Sequence, residues 1–101
     1  MSSSIAPEAL KRIEIIFAAV IRELVAQPDQ LGVSVETVGL ETYLLRVTVA
    51  ASDVGRIVGK QGRTARALRV ILGAMSTTLG ARVNLDIRHN DLEIKSEFLG
   101  R

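Results

Sequence analysis

Apolar positions along the chain follow two periods, one helical and one extended. Leu10, Ile13, Phe17, Val20, Ile21 and Leu24 recur at spacings of three and four, with Lys11, Arg12, Glu14, Arg22 and Glu23 largely elsewhere. This predicts an amphipathic helix from about Pro7 to Ala26. Pro7 suits its first position, Glu8 suits its positive end, and Pro28-Asp29 stops it. Val33 and Val35, with Val38 as a further candidate, predict a short strand, and Gly39-Leu40-Glu41-Thr42 a hairpin connection. From Tyr43 to Ala50 a second strand places Leu45, Val47 and Val49 on one face, and Leu44, Arg46, Thr48 and Ala50 on the other. Ser52 or Asp53 is positioned to cap a short helix whose Val54, Ile57 and Val58 share a face. Gly59-Lys60-Gln61-Gly62 breaks that helix. A longer one follows from Arg63 to about Leu79, with Ala65, Leu68, Ile71, Leu72, Met75 and Leu79 as its buried stripe and Gly80 as its C-terminal cap. Finally, Val83, Leu85 and Ile87 alternate with Arg82, Asn84, Asp86 and Arg88 in the clearest strand of the chain.

The resulting order is α-β-β-α-α-β. Two helices separate the second and third strands, so a right-handed crossover makes that pair parallel while the hairpin pair is antiparallel. The expected fold class is α+β, a mixed three-stranded sheet covered on one face by helices. A chain of 101 residues fits one domain, placed at residues 8–88 between a frayed N-terminus, 1–7, and a C-terminal tail, 89–101. Leu92, Ile94, Phe98 and Leu99 in that tail show no firm periodicity, which fits either docking on the body or a partner, or a flexible end.

Composition narrows the chemistry. There is no cysteine, which excludes disulfides and thiolate metal sites. No apolar run reaches the roughly 18 residues that span a bilayer, and Met1-Ser2-Ser3-Ser4 lacks the basic segment of a signal peptide, so a cytoplasmic location is expected. Net charge is only +2, but it is unevenly placed. Val54 to Leu85 contains Arg56, Lys60, Arg63, Arg66, Arg69 and Arg82 and no acidic residue, a distribution that attracts polyanions. Standing against that reading, a basic helix face can simply be solvated. The glycine loop beside it favours a ligand, because glycines three apart let a phosphodiester backbone approach the loop N–H groups.

Other chemistries fit poorly. Gly55-Arg56-Ile57-Val58-Gly59-Lys60-Gln61 suggests a phosphate-binding Walker loop but has three residues between its glycines where four are needed, and Gln61 stands where the magnesium-binding hydroxyl belongs. Asp53, Asp86 and His89 are scattered, and no His or carboxylate set has metal-ligand spacing, so neither an enzyme, a metal site nor a cofactor is expected. Ser76-Thr77-Thr78 reads as an exposed last helical turn, His89 as a surface residue at a strand exit, and Tyr43 as a packing residue in preference to a base-stacking one. With three aromatics in the chain, a platform of stacked rings is unsupported.

A Gly-x-x-Gly loop between two helices, flanked by Ile57 and Val58 and followed by an arginine-bearing helix, resembles the backbone clamp of KH domains. The element order is that of the type II KH fold. From Val54 to Arg69 the sequence resembles the small stand-alone bacterial KH proteins of the KhpA type, with the likeness extending from about Ile13 to Arg88. The resemblance implies a single-stranded RNA-binding protein. Its Gly59-Lys60-Gln61-Gly62 loop would clamp the backbone while an adjacent apolar groove receives about four nucleotides. Arg56, Ile57, Val58, Gly59, Lys60, Gln61, Gly62, Arg63 and Arg66 are the expected RNA-binding residues, with Arg46, Val47 and Arg69 as further candidates. It also implies post-transcriptional or RNA-chaperone work linked to the cell envelope, cell shape and division. Self-association as a homodimer, or assembly with a larger KhpB or Jag-like KH protein, is the alternative use of the groove and tail. That larger partner type carries an Arg-x-x-x-His module. Here Leu85 stands four residues before His89, so such a module would come in trans. Neither a membrane nor a small-molecule substrate is expected.

Overall fold

The computed structural model describes residues 7–89. Six elements organise them: α1 (Pro7–Arg22), β1 (Gly32–Gly39), β2 (Thr42–Val49), α2 (Val54–Val58), α3 (Arg63–Leu79) and β3 (Arg82–His89), with short 3-10 turns at Pro28–Gln30, Ala51–Asp53 and Lys60–Gly62. Pro7 is already helical and His89 still belongs to β3; the expectations for residues 1–6 and 90–101 lie outside the described residues. The sheet runs β1-β2-β3, with β1 antiparallel to β2 and β2 parallel to β3, so the α-β-β-α-α-β order and the mixed three-stranded sheet are as the sequence implies.

Alternation in β2 decides which side is covered. Tyr43, Leu45, Val47 and Val49 are all buried and lie in register with Val83, Leu85, Ile87 and His89 of β3, while Leu44, Arg46 and Thr48 project to the opposite, open face. Tyr43 is a packing residue, as expected. The hairpin turns through Leu40 and Glu41, the latter in the left-handed region at φ 50, and a bulge between Thr37 and Gly39 leaves Val38 exposed.

Helix α1 contributes a row at four-residue spacing, Ala9, Ile13, Phe17 and Ile21, and Val20 lies outside it at 44% exposure. The helix ends at Arg22, four residues before the sequence suggested. Beyond it the Ala26 and Gln27 N–H groups donate to the two carboxylate oxygens of Asp53, 2.9 Å each, so their hydrogen bonds leave the helix. Asp53 stands just before α2, yet its carboxylate makes no capping bond there. The side chain expected to cap a helix is instead fully buried and pins the loop after α1.

Helix α3 buries Ala65, Leu68, Leu72 and Ser76, with Met75 and Leu79 half-buried, whereas Ile71 of the predicted stripe is 53% exposed. At its end the Gly80 N–H reaches Thr77 O and the Ala81 N–H reaches Ser76 O, the paired bonds of a Schellman cap. Ser76 departs from the exposed turn expected of it. Its hydroxyl donates to Leu72 O at 2.8 Å and accepts the Val83 N–H at 3.2 Å, joining the end of α3 to the start of β3. The core that results gathers Ile13, Phe17 and Ile21, the inward residues of β2, Ile57, Leu68, Leu72, Val83 and Leu85.

Candidate nucleic-acid interface

The loop between α2 and α3 is shaped by three residues with positive φ: Gly59 at 81°, Gln61 at 57° and Gly62 at 74°. Gly59 is fixed twice over. Its backbone angles disfavour any side chain, and a Cβ there would lie 2.3 Å from Thr64 Oγ1 and 2.8 Å from Thr64 N. Gly62 carries only the first constraint, since its Cβ would meet nothing closer than Arg66 Nη2 at 3.8 Å. The turn closes through Gly59 N–H to Gly55 O at 2.8 Å and Gly62 N–H to Gly59 O at 3.0 Å. Among the described residues, the N–H groups of Lys60 and Gln61 are left without a backbone acceptor.

Directly after the loop, α3 begins with no side-chain cap and no acidic residue in its first turn. The Arg63 N–H donates to Lys60 O, but no described side chain offsets the positive end of the helix, which favours an anion at that place. Arg63 Nη2 donates to Gln61 Oε1 at 3.5 Å, and Arg66 Nη2 to Gln61 O at 3.3 Å, so two arginines lean back over the loop. Arg69 diverges toward β3, where its Nη2 donates to Leu85 O at 3.5 Å.

Ion pairing sorts the basic residues into two sets. Arg46 is paired with Glu36 and Asp86, Arg88 with Asp86 at 2.9 Å, and Arg56 with Asp53 at 3.2 Å. Lys60, Arg63, Arg66, Arg69 and Arg82 form no ion pair with a described carboxylate, and all five are exposed. Apart from Arg12 and Arg22 on α1, which also form no ion pair with a described carboxylate, unneutralised positive charge coincides with the loop, α3 and the start of β3. Cations already engaged are poor donors to a polyanion, because a contact there must first release a carboxylate.

The structure gathers most of the sequence candidates and separates a few. Arg56, Val58, Gly59, Lys60, Gln61, Gly62, Arg63 and Arg66 lie around one loop, with Val58 half-buried as its apolar flank. Ile57 is fully buried in the core, so its contribution is to hold α2 in place. Val47 is likewise fully buried and has no surface to offer. Arg46 belongs to the open face of the sheet, away from the helices, in its network with Glu36 and Asp86. The strand opposite α2 and α3 is β3, not β2. Strand alternation alone gave the facing of Arg46 and Val47 but could not say which strand borders the helices at the loop. Sequence reasoning also missed Asp53, whose buried carboxylate holds both Arg56 and the loop after α1; a lone Asp before a short helix reads only as a cap.

His89 is half-buried on the helix-facing side of β3, not a surface residue, and its Nδ1 is buried without a partner among the described residues. Asp86 lies on the opposite face of the same strand, and no described group of His, Asp or Glu could hold a metal ion. No described helix is long and apolar enough to cross a membrane.

Comparison with known proteins bears on this geometry directly. The family model described as KhpA/KhpB, KH domain, matches residues 16–87, a span that includes the whole loop, both flanking helices, β1, β2 and β3 as far as Ile87. The chain belongs to that family. Curated KhpA relatives, each called an RNA-binding protein KhpA, are also similar to the chain. The one from Aquifex aeolicus is 42% identical over 66 residues, covering 65% of this chain and 82% of its own. That of Chlamydia caviae is 36% identical over 70 residues, 69% and 88% of the two chains, and that of Treponema pallidum 38% over 74 residues, 73% and 91%. The type II KH fold expected from the element order is therefore the fold of a KhpA/KhpB-type domain.

Proposed function

We propose that this chain binds single-stranded RNA, clamping its backbone at Gly59-Lys60-Gln61-Gly62 and taking about four nucleotides along the adjacent helices and β3. One observation carries the reading: among the described residues, two loop N–H groups without a backbone acceptor sit beside the start of α3, which no side chain caps, amid cations that form no ion pair. A phosphate oxygen at the loop would accept from Lys60 and Gln61 N–H, with Lys60, Arg63 and Arg66 supplying charge. Arg56 acts from the flank, tethered by Asp53. Val58 supplies apolar contact, and Arg69 reaches the β3 side. The chain works without catalysis, cofactor or small-molecule substrate. The KhpA relatives are named for RNA binding, in keeping with this reading.

Lys60→Asp/Gln61→Asp tests it, because aspartate tolerates the left-handed angles of position 61 and so replaces attraction by repulsion with little strain. Binding to a mixed single-stranded RNA pool at two salt concentrations is expected to fall sharply, and unchanged affinity would sink the clamp.

One domain of this kind makes few phosphate contacts, so binding is weak and salt-sensitive unless a second copy or a larger KhpB or Jag-like protein adds avidity. Exposed Ile16 and Val20 on α1 and Val70 and Ile71 on α3 support such assembly, with a small cleft of about 210 Å³ between the helices at Ile16, Met75 and Leu79. Residues 8–88 form the RNA-binding unit in this reading, in cytoplasmic post-transcriptional control, and the flanking segments serve assembly. Light scattering across a concentration series, on the full chain and on one ending at Arg88, tests that part; a monomer throughout removes the homodimer.

A further inference from the structure

Strand β1 is an outer strand of the sheet, bonded to β2 on one side only. Along an outer strand every second residue turns its N–H and C=O away from the sheet, and such an edge invites another chain to pair with it. Val35 is one of these residues: its N–H leaves the sheet and donates to Glu14 Oε2 of α1 at 3.0 Å. Val33 and Thr37, two residues to either side, point the same way. Among the described residues no other side chain accepts a hydrogen bond from a β1 N–H.

Helix α1 holds Glu14 at this place. Ile13 and Phe17, to either side of it in the helix, are buried in the core, which fixes how the helix is turned. The Glu14 side chain is 22% exposed, and its other oxygen accepts from Lys11 Nζ at 3.3 Å. A carbonyl oxygen arriving with a second strand would need the Val35 N–H that this carboxylate already occupies, and would meet a negative charge there.

We infer that Glu14 is an autoinhibitory contact, which keeps the β1 edge closed to a second copy of this chain. Without it, two β1 strands pair antiparallel across a two-fold axis and join two three-stranded sheets into one. The strand suits that partner. A register centred on Val35 sets Val33 opposite the second copy's Thr37 and Ser34 opposite its Glu36, so β-branched residues meet and like charges do not. The bulge between Thr37 and Gly39 ends the regular edge there. This edge uses none of the exposed apolar residues of α1 and α3, and the inference does not depend on RNA binding.

Light scattering across a concentration series on full-length Glu14→Ala tests it, with circular dichroism to check the fold. Half-association is expected at a concentration at least roughly tenfold lower than for the wild type. Glu14→Gln, which keeps an acceptor oxygen for Val35, is expected to stay close to wild type. Val35→Pro added to Glu14→Ala is expected to abolish the gain, because proline removes the outward N–H without breaking a bond to β2. Amide exchange at Val35 is expected to be faster than wild type in dilute Glu14→Ala and to slow again as that variant associates. An oligomeric state unchanged by Glu14→Ala overturns the inference. So does a gain that survives Val35→Pro, which would put the association on another surface. Should Glu14→Ala unfold, Glu14→Ser, which also falls short of Val35, takes its place in the same series. If both unfold, Glu14 serves stability alone and the autoinhibitory role is overturned.

Discussion

Asp53 and Arg56 are joined at 3.2 Å across a sharp difference in exposure: the Asp53 side chain is fully buried, while that of Arg56 is 60% exposed. The same carboxylate accepts the Ala26 and Gln27 N–H groups, so one residue ties the loop after α1 to the flank of the glycine loop. A buried carboxylate is tolerable here because three donors satisfy it.

Asp53→Asn tests that arrangement. The amide keeps one acceptor oxygen but turns a donor toward an N–H group and loses the charge facing Arg56. Urea denaturation is expected to show a loss of about 1–3 kcal/mol, with a weaker loss of RNA affinity because Arg56 is no longer held.

Gly59→Ala and Gly62→Ala are expected to differ. Both pay for positive φ, roughly 1 kcal/mol each. Only Gly59→Ala also drives a methyl into Thr64, whose backbone nitrogen cannot withdraw. The Gly59 variant should be the less stable of the two in thermal denaturation, and equal midpoints would contradict a clash at Thr64.

Ser76→Ala leaves the Val83 N–H without its acceptor at a buried seam. The expected cost is about 1–3 kcal/mol, with faster amide hydrogen exchange at Val83 as the local signature.

Charge removal should be face-specific. Arg63→Ala and Arg66→Ala are each expected to weaken binding evenly across RNA sequences and to lower the salt slope by about one. Arg46→Ala, on the open face of the sheet, is expected to change neither quantity, although it frees Glu36 and leaves Asp86 paired with Arg88 alone.

By itself the sequence determined the element order, the inward face of each strand and the position of the glycine loop. Each of these is set by local information: period-two alternation in β2 and β3, four-residue spacing in α1, and glycines that interrupt a helical pattern. It also located the basic segment and, through the Gly-x-x-Gly context, the family resemblance. Tertiary structure alone decided the rest. Val47 and Arg46 are adjacent in sequence, yet one is sealed in the core and the other engaged on the far face, so neither stands beside the loop. Ser76 and Asp53 look like a surface hydroxyl and a helix cap until β3 and the loop after α1 supply their long-range partners. The pairing of cations was equally hidden, because a carboxylate neutralises whichever arginine folding brings near it, and that proximity depends on strand register and helix placement.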